Sequence, residues 1–143
     1  MTLKIPIRII PLEANGFHLF IDAALNGKNA NMLVDTGASK TVFDINRILK
    51  FTGKRKKTFK LFENHSTGLG TNTMESHFTT IKEFCVSGLK LNNYNAILLD
   101  MSHVNQSYKM LKQKAIDGVL GSDLLMKYKA VIDYKNMVLK LQI

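Results

Sequence analysis

The chain has 143 residues, a length that fits one domain with a core of its own, so residues 1–143 are read as a single unit. Its 45% apolar and 22% charged residues are those of an ordinary globular protein, and no apolar run approaches the ~20 residues of a membrane span, so no membrane partner is expected. A formal charge of +9 invites a nucleic-acid reading, while the single cysteine, Cys85, excludes an internal disulfide and a thiolate metal cluster.

The N-terminal stretch MTLKIPIRII alternates instead of forming a signal-peptide core, and with the lone cysteine this favours a cytoplasmic location. Leu3, Ile5, Ile7 and Ile9 alternate with Lys4, Pro6 and Arg8, which predicts a first half-buried strand; Pro6 places it at a sheet edge. Phe17, Leu19, Ile21, Ala23 and Leu25 repeat the period of two. Asn26-Gly27 is a hairpin turn, since both residues tolerate positive φ, and NMLV returns as a strand that ends on Asp35.

Asp44 is placed to cap a short helix through Ile45, Ile48 and Leu49. Strands are predicted near Thr58–Glu63, Met74–Val86 and Leu89–Leu99, with a polar, glycine-containing hairpin tip between the first two. The stretch SYKMLKQK fits a helical turn or a loop equally well. GSDLLMKY predicts a short helix, and KAVIDY and MVLKLQI predict two strands around a tight Lys135-Asn136 turn. The fold class is all-β with a few short helices.

Most of the basic excess sits in RILKFTGKRKKTFK, where Arg47, Lys50, Lys54, Arg55, Lys56, Lys57 and Lys60 cluster. No zinc-finger spacing, RNA-binding aromatic signature or helix-turn-helix accompanies it, so solvated surface is preferred and a nucleic-acid partner is not expected. His18, His65, His77 and His103 lack the spacing of a zinc site, so no metal or other cofactor is expected. Cys85, in the apolar EFCVSG stretch, reads as a small buried hydrophobe, and no serine occupies a Gly-x-Ser-x-Gly elbow.

Two stretches carry more chemistry. LVDTGAS delivers Asp35, Thr36 and Gly37 from a strand end into a turn, and VLGSDLL sets Val119 and Leu120 before Gly121 and a helix. Asp-Thr-Gly alone is often just a turn. The pair in this order, some eighty residues apart with a glycine-containing hairpin between them, resembles the retropepsin-like aspartic proteases and the single-lobe bacterial aspartyl proteases.

The resemblance covers most of the chain. It implies an acid-protease barrel of one lobe whose active site forms at a homodimer interface, and a peptide or protein substrate. Asp35 would be the catalytic aspartate, Thr36 would lock onto the partner loop, and Gly37 would let the loops approach. Ala38 would line the cleft floor. His65, Ser66, Thr67, Gly68, Leu69, Gly70 and Thr71 would form the substrate-covering flap, and Val119, Leu120 and Gly121 would cradle the active loop.

Acid proteolysis needs two carboxylates about 3 Å apart that share a proton, one activating water and one protonating the scissile carbonyl. The chain holds one Asp-Thr-Gly, and Asp117 reads as a loop or surface carboxylate, so the partner must be Asp35 of a second copy. Two positions depart from the retroviral members. Ser39 and Ser122 stand where those carry an acid and an arginine that pair, so the retroviral mode of dimerisation is not implied. Ala38 replaces the serine or threonine of two-lobed relatives, which implies a mildly acidic rather than strongly acidic optimum. The competing readings are a catalytically weak peptide-binding dimer of the same fold and, behind it, a nucleic-acid-associated domain.

Overall fold

A computed structural model of the chain describes residues 1–62 and 76–143. Among them are eleven strands: β1 (Thr2–Pro6), β2 (Arg8–Pro11), β3 (Phe17–Leu25), β4 (Lys28–Val34), β5 (Val42–Asp44), β6 (Lys60–Phe62), β7 (Ser76–Val86), β8 (Leu89–Leu99), β9 (Gly118–Leu120), β10 (Val131–Asp133) and β11 (Val138–Gln142). Three α-helices accompany them: α1 (Leu49–Thr52), α2 (Ser102–Met110) and α3 (Ser122–Lys127). None of these helices is long and apolar enough to cross a membrane.

The first alternating run is two strands in two different sheets. β1 is the edge of a three-stranded sheet ordered β1-β11-β10, as Pro6 requires, and β2 opens an eight-stranded sheet. The chain changes sheet at buried Ile7, whose amide donates to the Met137 carbonyl at 2.9 Å. Periodicity passes straight through this point because side-chain alternation continues while the hydrogen-bond partner changes.

The large sheet runs β2-β3-β4-β9-β5-β8-β7-β6. A further pairing of Ala24 with Cys85 and Leu25 with Phe84, between β3 and β7, curls the sheet round on itself. The β3–β4 hairpin turns on Asn26 (φ 50°) and Gly27 (φ 80°), the two consecutive positive φ values of a type I′ turn. Inside the curl pack Ile21, Leu25, Met32, Phe43, Ile81, Phe84 and Leu98, all essentially inaccessible. Phe43, Phe84 and Tyr94 meet edge to face with centroids 5.1–6.3 Å apart, the geometry ring quadrupoles favour.

Several local expectations change. Asp44 ends β5 and is buried; its Oδ1 accepts the Met101 amide at 3.0 Å, tying β5 to the start of α2, and the helix it was expected to cap begins only at Leu49. SYKMLKQK splits, with Ser107–Met110 finishing α2 and the remainder forming a turn and loop. Cys85 is half-buried on the outer face of β7, not in the core, and burial followed by the neighbouring Glu83 carboxylate pushes its thiol up.

Candidate active site

Asp35 leaves the end of β4, and the loop it opens returns as β5. β9 lies between these two strands, parallel to β4 (Leu33 opposite Val119, Val34 opposite Leu120) and antiparallel to β5 (Val42 opposite Val119). The Asp35 loop is therefore stitched to the β9 end at its backbone. The Asp35 amide donates to the Leu120 carbonyl at 3.0 Å, and the Ser122 amide donates to the Ala38 carbonyl at 2.7 Å. Val119 and Leu120 are buried beneath it. The two motifs read from the sequence are thus brought together in space.

Gly121 is required by that approach. A Cβ there would lie 2.6 Å from the Lys40 carbonyl carbon and oxygen and 2.8 Å from the Ala38 oxygen, all backbone atoms that cannot swing aside. Gly37 serves the carboxylate directly: its amide donates to Asp35 Oδ1 at 2.9 Å, and a Cβ would press on that same oxygen at 3.2 Å. Asp35, Thr36 and Gly37 are exposed, while Ala38 is half-buried against the small apolar cluster that includes Phe20, Val42 and Val119.

A second clamp, invisible to motif reading, holds the far end of the loop. Buried Thr41 gives its amide (2.9 Å) and hydroxyl (2.7 Å) to Asp123 Oδ1 and accepts the Gly121 amide at 3.0 Å. Asp123 sits in the first turn of α3, so one carboxylate joins helix, loop and β9. Tyr94 lies beside this pair; burial, then the charge of Asp123, holds its phenol up to about 12. Asp123→Ala is expected to cost about 2 kcal/mol, because it strips a charged acceptor from three donors, the Thr41 amide and hydroxyl and the Leu124 amide. Asp123→Asn should cost far less, since an amide oxygen in the same place still accepts from these donors, and urea midpoints of the two variants check this.

Asp117 corrects an expectation. It is a loop residue, as read, but it is buried and accepts the Asn31 amide at 2.8 Å and Arg47 Nε at 2.7 Å, with Lys50 Nζ at 3.5 Å. It therefore anchors the approach to β9 and engages part of the basic cluster. Lys54 Nζ reaches Thr79 and the Thr80 carbonyl, both at 3.0 Å, and Lys56 reaches Asn46, so this cluster is partly structural rather than a free basic face. His65, Ser66, Thr67, Gly68, Leu69, Gly70 and Thr71, expected as the flap, and Met74 lie outside the described residues. Among those residues no cluster of three or more histidines, cysteines or acidic side chains could hold a metal ion.

The sequence profile of a family described as aspartyl protease matches residues 21–124, a span that includes the Asp35 loop, β9 and the Thr41–Asp123 clamp. The chain belongs to the aspartyl protease family. Its fold is that of the retropepsin-like members. It resembles a retropepsin-like aspartic protease from Rickettsia conorii with TM-score 0.60 and 21% identity, over 99% of this chain and 89% of that one. It also resembles the retroviral protease-like domain of Ddi1 from Leishmania major with TM-score 0.55 and 14% identity, over 87% of each chain. No curated protein matches the chain in sequence.

Proposed function

We propose that the protein is an aspartic endopeptidase in which water is activated between the Asp35 carboxylates of two copies of the chain. The observation that carries this reading is the exposed Asp35 carboxylate, held by the Gly37 amide on a loop whose backbone is fixed to β9. Preorganisation of that kind is what a catalytic carboxylate needs and what an ordinary turn does not. One carboxylate of the pair would take a proton from water while the other gives one to the scissile carbonyl; the proton they share resides on either. Thr36 is exposed and its hydroxyl makes no hydrogen bond to a described residue, and in the dimer it would meet the partner loop. Residues 65–71 would close over the substrate.

A mixed peptide library offered across mildly acidic pH tests the proposal. Internal cleavage is the expected outcome. Saturable peptide binding without cleavage would favour a binding dimer of the same fold. Ala38 leaves no hydroxyl beside the carboxylate, so the optimum is expected to be mildly acidic, and Ala38→Ser is expected to move it to lower pH by favouring the ionised pair. A pH–rate profile that peaks as strongly acidic for the unmodified chain would contradict this.

A further inference from the structure

The β3–β4 ladder sets Phe20 opposite Leu33. Followed two residues further, that register brings His18 opposite Asp35, and opposed residues of an antiparallel pair project to the same face. Phe20, Leu33 and Ala38 lie on this face with Tyr108 of α2 in one apolar cluster. The Asp35 charge is felt there: burial, and then that charge, pushes the Tyr108 phenol up. His18, Tyr108 and Asp35 are therefore neighbours on one face of the sheet.

An imidazole beside an exposed carboxylate ordinarily pairs with it, since opposite charges a few ångströms apart favour each other's charged form. Here it does not. Asp35 Oδ1 accepts the Gly37 amide, and no hydrogen bond or ion pair joins Asp35 to His18. Instead His18 Nδ1 shares a 2.7 Å hydrogen bond with the Tyr108 hydroxyl, and the two rings meet edge-on at 5.9 Å. Tyr108 is itself fixed, being buried and edge-on to Phe20 at 5.6 Å. A phenol both donates and accepts, so the bond can be kept whether the imidazole is neutral or protonated. The surface beside His18 is formed by Leu12, Phe17, Ser107, Met110 and Leu111, none of them charged. On β2 the residue opposite is Ile10, and Arg8, farther along the same face, is engaged by Asp22 and Asn31.

We propose that Tyr108 is a positioning residue that holds the His18 imidazole away from Asp35, leaving this carboxylate free to share a proton with its counterpart. The inference rests on the peptidase reading for what the free carboxylate does. A protonated imidazole bound to Asp35 would favour the doubly ionised pair, which has no proton to give to the scissile carbonyl.

Tyr108→Phe removes the hydroxyl and keeps the ring that packs on Phe20. The His18 ring is titrated by NMR in four full-length chains: wild type, Asp35→Asn, Tyr108→Phe and the double variant. With Tyr108 present, Asp35→Asn is expected to leave the His18 midpoint nearly in place. In the Tyr108→Phe background, where the imidazole is free to pair, Asp35→Asn is expected to lower that midpoint by about one pH unit or more. An equal effect of Asp35→Asn in both backgrounds would overturn the proposal.

Hydrolysis supplies a second readout. Tyr108→Phe is expected to lower kcat about tenfold, the population change that one pKa unit brings. Adding His18→Phe, which removes the imidazole that would capture Asp35, is expected to restore most of that loss. If Tyr108 served the fold alone, the second substitution would add a further loss, and that result would overturn the proposal. Coupling seen by NMR with no hydrolysis by any chain, wild type included, would overturn the peptidase reading and leave the restraint on His18 standing.

Discussion

Asp35→Asn is expected to lower peptide hydrolysis by about four orders of magnitude, since it removes the proton-transferring group from both halves of the pair. Asparagine keeps the size of the side chain and an oxygen that can accept the Gly37 amide bond, so the loop has no reason to move. Asp35 is also exposed, and exchange of an exposed side chain away from special backbone usually changes stability by less than about 0.5 kcal/mol. Activity and stability should therefore separate: hydrolysis collapses while the thermal midpoint holds. Rates measured beside melting curves check both. Retained hydrolysis would remove Asp35 from the chemistry.

Gly121→Ala is expected to damage both. The added methyl would meet three backbone atoms of Ala38 and Lys40 at 2.6–2.8 Å, well inside van der Waals contact. Overpacking of a tight interior costs about 1–3 kcal/mol, and the upper end applies where the obstacle is backbone. Relief can come only from parting β9 and the 38–40 segment, which would stretch the Ser122–Ala38 and Asp35–Leu120 hydrogen bonds. A displacement of about 1 Å at a reacting group can cost about a hundredfold in rate. Gly27→Ala is the contrast. Its Cβ would meet nothing within 4 Å, and only its positive φ of 80° opposes a side chain, so it should lose about 1 kcal/mol with no added loss of rate. Urea unfolding and kcat/KM for the two variants distinguish the effects.

Much of this architecture is legible in the sequence because it is written at short range. β3, β7 and β8 alternate over nine or eleven residues, Asn26-Gly27 dictates its own turn, and Asp35 falls where an apolar strand meets Thr-Gly. The elements of three residues resist reading, since β5 and β9 are too short to show a period. Yet β9 does the most for the site by lying between β4 and β5. The break at Ile7 leaves no signal either, because a strand can change partner without changing its alternation.

The missed side chains have a common cause. Thr41 and Asp123 are 82 positions apart, His18 and Tyr108 are 90, and Arg47 and Asp117 are 70. Each looks ordinary beside its chain neighbours and acquires a role only when strands distant in sequence are laid together. Asp117 shows this best. Its local setting is that of a loop carboxylate, yet it is buried and meets two cations, Arg47 just before α1 and Lys50 within it.

The central claim is that one active site needs Asp35 from two chains, and subunit mixing tests it most directly. A fixed amount of wild-type chain is equilibrated with a ninefold excess of Asp35→Asn chain, sedimentation verifies that they dimerise, and hydrolysis is measured. If pairing is random, only about a tenth of the wild-type chains retain a wild-type partner, so activity should fall about tenfold although no wild-type protein has been removed. Activity that is unchanged by the excess would mean that a single chain carries a complete site, and would contradict the account.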